Sequence, residues 1–88
     1  MNKPLLQVAL DNLSIPSALE ATRALADEVD VLEVGTILCY AAGAKTVSIL
    51  RALYPNKTIV TDLKAADAGA TVAEIVFSRG TNWMTVIC

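Results

Sequence analysis

Four short apolar runs separated by three stretches of helical spacing constrain this chain more than any other feature. Leu5 to Leu10 reads as a first strand ending at Asp11, and Asp30 to Val34 as a second, followed by Gly35 and Thr36. Thr58 to Thr61 or Asp62, rich in β-branched residues, is the third, and Trp83 to Cys88 the fourth. Between the first two, Ser14 is the candidate N-cap, with Pro16 in the first turn. Ala18, Leu19, Thr22, Leu25, Ala26 and Val29 then recur at the three- and four-residue steps of a helix lying on a sheet. A second helix is expected from about Ala41 to Tyr54, with Val47, Leu50 and Leu53 apolar and Pro55 and Asn56 stopping it. A third runs from about Ala68 to Ser78, with Val72, Ile75 and Val76 inward and Gly80 as its stop. Strand and helix in strict alternation mean a parallel sheet with right-handed crossovers, either doubly wound or part of a (β/α)8 barrel.

The polar residues separate these two architectures. Asp11, Glu33 and Asp62 each fall at the carboxyl end of a strand, and Asp62-Leu63-Lys64-Ala65-Ala66-Asp67 closes the third run. Successive strand side chains alternate between faces, so Ala9 shares a face with Asp11, Glu33 with Gly35, and Val60 with Asp62 and Lys64. Three acids and a lysine then converge on one rim. Barrels carry catalytic residues at the carboxyl ends of several strands. An open sheet covered by helices on both faces wants near-continuously apolar strands instead. The fold class expected is therefore α/β, a partial (β/α)8 barrel of four parallel strands and three intervening helices.

Composition excludes several functions. The nine acids and seven bases are dispersed, for a net charge of -2, so no basic surface invites nucleic acid. No apolar run approaches the roughly 18 residues of a membrane span, and Gln7 and Asp11 come too early for a signal peptide. Cys39 and Cys88 form neither a disulfide framework nor a metal spacing, which fits a cytoplasmic protein. With no histidine there is no Ser-His-Asp triad, Cys-His dyad or His-ligated zinc within the chain. The four glycines make no dinucleotide fingerprint or P-loop.

What remains is carboxylate and lysine chemistry. Three neighbouring carboxylates need counter-charge. Lys64 supplies one unit, and magnesium, a hard ion held by one or two carboxylates plus waters and substrate oxygens, would supply more. Glu33 and Asp62 are the favoured pair. Such a site suits negative charge developing on adjacent oxygens, as in an enediolate. Each residue also has a plainer role. Asp11 can open a loop, Glu33 can pair with an exposed base, Asp62 and Lys64 can form an ordinary ion pair, and Asp67 can cap a helix. Four such residues at equivalent strand ends make coincidence the weaker explanation. Cys39 reads as a buried small hydrophobe, Trp83 and Met84 as strand packing, and Thr36 either as a hydrogen-bond donor near the site or as a loop residue.

Asp62-x-Lys64-x-x-Asp67-Ala68-Gly69, with Leu10-Asp11 upstream and Glu33-Val34-Gly35-Thr36 between, resembles the orotidine 5′-monophosphate decarboxylase superfamily. Within it, the stretches Leu6 to Asn12, Val34 to Cys39 and Asn82 to Cys88 are most similar to the 3-keto-L-gulonate 6-phosphate decarboxylases. The resemblance implies a homodimeric magnesium enzyme in which Glu33 and Asp62 match metal ligands and Asp11 a substrate-contacting acid. Lys64 matches the residue that stabilises the enediolate, and Asp67 one that reaches the partner subunit's site. The substrate implied is a phosphorylated sugar acid and the product L-xylulose 5-phosphate, in ascorbate or sugar-acid breakdown. The sister hexulose-6-phosphate synthases share the Asp-x-Lys-x-x-Asp motif but tend to have proline where this chain has Ile37, and Thr61 stands where alanine is frequent.

A full barrel takes about 250 residues, with its phosphate site after strands 7 and 8. The 88 residues here are accordingly expected to be the N-terminal half of a barrel domain, without its phosphate-gripping half. Alone, this half is expected to be inactive or nearly so and to associate through its open edge. Two other functions fit less well: an aldol synthase, and a non-catalytic half-barrel that self-associates.

Overall fold

The computed structural model describes residues 4–87. Its strands are β1 (Gln7–Leu10), β2 (Val31–Val34), β3 (Thr58–Ala65) and β4 (Trp83–Val86), and its helices are α1 (Ile15–Leu25), α2 (Thr36–Ala42), α3 (Lys45–Leu53) and α4 (Gly69–Ser78). The strands form one sheet in the order β1-β2-β3-β4, every pair parallel. This is the alternating pattern read from the sequence, with every strand beside its chain neighbour.

Register sets the two faces of the sheet. Leu10, Val34 and Thr61 stand level, and on that face Leu10, Val34 and Ile59 pack with Ala18, Leu38, Val47 and Leu50 into the core. Ala9, Glu33 and Val60 also stand level and point the other way, to the face a closed barrel turns inward. The described helices pack on the first face, so the second can carry polar groups.

Local chemistry explains the helix ends. Ser14 caps α1 as expected, its Oγ accepting from Ser17 N at 3.3 Å, with Pro16 in the first turn. Asp30 lies outside the second strand and ties the first to it, Leu6 N donating to Asp30 Oδ2 at 2.9 Å. The second crossover departs from expectation. In place of one helix from Ala41 to Tyr54 there are two, α2 and α3, bent by 109°. Gly43 sits at φ 83° and closes α2 by donating to Cys39 O at 2.9 Å, a backbone state that favours glycine. The described residues therefore form four helices rather than three.

Some residues expected inward lie outward. Ile75 is 45% exposed while Val76 is buried, and Leu53 is 55% exposed while Thr46, Val47 and Leu50 are buried. Trp83 is 57% exposed, on the inward-turned face of an edge strand, so it is not packed as expected. Cys88 lies outside the described residues. Among the described residues no single helix is long and apolar enough to cross a membrane.

Candidate active site

The site lies at the carboxyl ends of β1, β2 and β3. Asp62 follows Val60 on the inward-turned face, and Glu33 stands level with Val60 on β2, so the two carboxylates share that face. Glu33 Oε1 accepts from Gln7 Nε2 at 2.6 Å. Asp11, just past β1, lies against Gly35. A β-carbon at position 35 would collide with its carboxylate and sit 2.9 Å from Leu10 O, so glycine is required for this approach.

Lys64 meets Asp62, but not by simple alternation. Its φ is 51°, and between Thr61 and Ala65 the β3–β4 register shifts. From that bulge Nζ reaches Asp62 Oδ2 at 2.8 Å, the one ion pair among the described residues. Two threonines complete the cluster. Thr36 Oγ1 donates to Asp62 O at 2.7 Å and accepts from Lys64 Nζ at 2.9 Å. Thr85 Oγ1 donates to Asp62 Oδ1 at 2.6 Å and accepts from Lys64 N at 3.0 Å. Each hydroxyl has a single proton, which goes to Asp62, so each must accept from Lys64.

The charges are mutually supporting. The hydrogen bonds from Lys64 and Thr85 hold the Asp62 carboxyl below the usual carboxylate range. The hydrogen bond to Asp62, reinforced by the negative charges of Asp62, Glu33 and Asp11, raises the Lys64 ammonium above its ordinary value. All three acids thus act on the one lysine. Burial, followed by the charges of Asp62 and Asp11, pushes the Cys39 thiol up to about 11, so it stays a neutral, partly buried group that donates weakly to Val34 O.

Asp67 stands apart from this cluster. Its Oδ1 accepts from Ala68 N at 2.8 Å, and the N-cap of α4 is Ala68, so Asp67 does not cap the helix. It does line, with Lys64, Cys39, Tyr40, Leu63 and Val72, a cavity of about 400 Å³. Among the described residues no group of three or more acidic, Cys or His side chains is poised around a metal. Two carboxylates with free lone pairs are nonetheless what a magnesium ion takes from protein, so the oxygen-only pair Glu33 and Asp62 fits such an ion.

The family model for the orotidine 5′-phosphate decarboxylase / HUMPS family matches residues 4–88. The chain belongs to that family. Among family members, 3-keto-L-gulonate-6-phosphate decarboxylase UlaD of Escherichia coli is 51% identical over 88 residues, all of this chain and 41% of UlaD. The crystal structure of KGPDC from Streptococcus mutans superposes with a TM-score of 0.96 at 47% identity, over 99% of this chain and 41% of that one. The same protein in complex with a phosphosugar gives 0.94 and 48%, over 98% and 41%. 3-Hexulose-6-phosphate synthase from Salmonella typhimurium is more distant, with a TM-score of 0.90 at 32% identity over 94% of this chain and 39% of that one. The chain thus spans about 41% of the length of the curated relatives it matches, and its sheet is the corresponding part of the family's (β/α)8 barrel.

The motif reading of the sequence placed Asp11, Glu33, Asp62 and Lys64 together; the structure joins Asp62 to Lys64 directly, with Glu33 and Asp11 near enough for their charges to act on the lysine. Thr85 was missed, because an isolated strand threonine carries no signal; only the pairing of β3 with β4 brings it to Asp62.

Proposed function

We propose that the chain is the N-terminal part of a (β/α)8 carboxy-lyase that releases carbon dioxide from 3-keto-L-gulonate 6-phosphate and leaves L-xylulose 5-phosphate. The observation that carries this reading is the Asp62–Lys64 pair beside Glu33 and Asp11 on the inward-turned rim. When the carbon–carboxylate bond breaks, carbon dioxide leaves and the electron pair passes to the neighbouring carbonyl as an enediolate, which then takes a proton from water at the carbon that lost the carboxylate. The Lys64 ammonium, kept protonated by three surrounding acids, is the group to neutralise that oxygen. Asp62 and Thr36 aim the ammonium, and Asp11 is the candidate contact to a substrate hydroxyl. Glu33 and Asp62 would hold magnesium, which supplies positive charge at adjacent substrate oxygens. Asp67 is the residue to extend into a partner subunit's site in a cytoplasmic homodimer.

Two findings favour the decarboxylase over the aldol synthase: 51% identity to UlaD against 32% to the synthase from Salmonella, and Ile37 after the Gly35-Thr36 pair. The phosphosugar complex of the Streptococcus relative supports a small phosphorylated sugar as the ligand class. The place in ascorbate or sugar-acid breakdown follows from the substrate proposed.

A hybrid in which these 88 residues replace the matching segment of UlaD tests the reading. Carbon dioxide release from 3-keto-L-gulonate 6-phosphate with magnesium is expected, with Lys64→Ala and Asp62→Asn each lowering kcat by roughly 10²-fold or more. A folded hybrid that releases none overturns the proposal.

A further inference from the structure

Thr61 pairs with Met84 and Ala65 with Val86, so three β3 residues, Asp62, Leu63 and Lys64, face a single β4 residue, Thr85. A bulge of this kind leaves backbone groups without ladder partners and re-aims a side chain. Lys64 is also held at φ 51°, where a side-chain-bearing residue is strained and persists only when its surroundings fix it. The contact that fixes it is a side chain. Thr85 Oγ1 accepts the Lys64 N–H at 3.0 Å while donating to Asp62 Oδ1 at 2.6 Å.

We infer that Thr85 is a positioning residue: its hydroxyl replaces the ladder partner removed by the bulge and so holds Lys64 in the left-handed turn that returns its ammonium to Asp62. Thr36 closes the other side, accepting from Lys64 Nζ at 2.9 Å and donating to Asp62 O at 2.7 Å. One proton and one lone pair on each hydroxyl are used, so neither threonine can be replaced by a group that only donates or only accepts. Freed of this contact, Lys64 relaxes to an extended backbone; its side chain stays on the Asp62 face, but its amine loses the fixed approach to the carboxylate. The inference rests on Asp62 and Lys64 being the reacting pair, but its principal test requires no turnover.

The experiment is NMR on the isotope-labelled chain and on Thr85→Val, which keeps the shape without the hydroxyl, and Thr85→Ser, which keeps the hydroxyl. The wild-type chain is expected to show a left-handed Lys64 coupling constant and a protected Lys64 amide. In Thr85→Val the coupling moves to the extended range and Lys64 amide exchange quickens roughly tenfold or more, while Leu32 and Leu50 amides are unchanged. Thr85→Ser restores both. A folded Thr85→Val chain with wild-type values at Lys64 overturns the inference. If Thr85→Val does not fold, the wild-type chain decides: a Lys64 amide that exchanges as freely as that of exposed Asp67 overturns it, and a protected one with the left-handed coupling supports it. In the UlaD hybrid, Thr85→Val is expected to lower kcat roughly tenfold with KM within about twofold. An unchanged kcat there refutes positioning while leaving the decarboxylase reading intact.

Discussion

A side chain at position 35 would have to occupy the space taken by the Asp11 carboxylate. Gly35→Ala is therefore expected to destabilise the chain by about 1–3 kcal/mol, measured by urea unfolding. Asp11→Ala in the same molecule should recover part of that loss, and simple additivity of the two changes would show that they do not touch. The Asp62–Lys64 pair predicts a pH dependence of stability. The depressed Asp62 carboxyl contributes fully above the ordinary value of 3.8, and that contribution is lost as pH falls through its lower folded value. The raised Lys64 ammonium contributes below 10.5 and loses its contribution as pH rises through its higher folded value. The stability gap between wild type and Lys64→Met should thus be widest near neutrality and close toward both extremes. The acids were legible as residues because an ionised group ending an apolar strand stands out. The two threonines were not equally so: Thr36 adjoins a strand end, but Thr85 acts only through a cross-strand pairing 23 residues away from Asp62.

At the opposite end of the strands, Arg51 of α3 ties together the loop before β3 and the loop before β4. Its guanidinium donates to Gly80 O at 2.9 Å, Lys57 O at 2.8 Å, Pro55 O at 3.1 Å and Asn82 Oδ1 at 2.6 Å. The same Asn82 oxygen accepts from Ile59 N at 2.8 Å. A planar fork bonded to carbonyls on several segments cannot be copied by an ammonium. Arg51→Ala should cost about 2–4 kcal/mol in thermal or chemical unfolding, with Arg51→Lys regaining less than half. Gly80, at φ 111°, leaves room for the arginine, since a β-carbon there would sit 2.7 Å from Arg51 Cγ. Element order was readable from periodicity, because each strand and helix buries one stripe. The break at Gly43 was not, because α2 is seven residues long and its apolar spacing merges with that of α3. The bulge in β3 also escaped the sequence: alternation puts Lys64 on the correct face, whereas the structure brings it there through a left-handed turn.

For the whole molecule, the described residues form a sheet whose outer strands, β1 and β4, are each paired on one side only, and no described helix lies on its inward-turned face. Leu5, Leu6, Trp83, Val86 and Ile87 are exposed near those edges. The 88-residue chain is expected to self-associate, so sedimentation should show species larger than a monomer at high concentration. Its turnover of the proposed substrate should fall at least about 10²-fold below that of the UlaD hybrid, because distant phosphate contacts supply orientation. Rates matching the hybrid would contradict this. Fold class was legible at this scale because alternation and polar strand ends both specify a barrel wall, whereas a partner's surface leaves no periodic trace in one sequence. The bulge opposite Thr85 has a consequence for folding order. Asp62 and Lys64 leave the ribosome well before Thr85, so a nascent chain can hold its acids in place while the lysine still samples either backbone state. Only when β4 docks is the amine latched, so completion of this third pairing is the moment at which Asp62 and Lys64 take up their fixed arrangement.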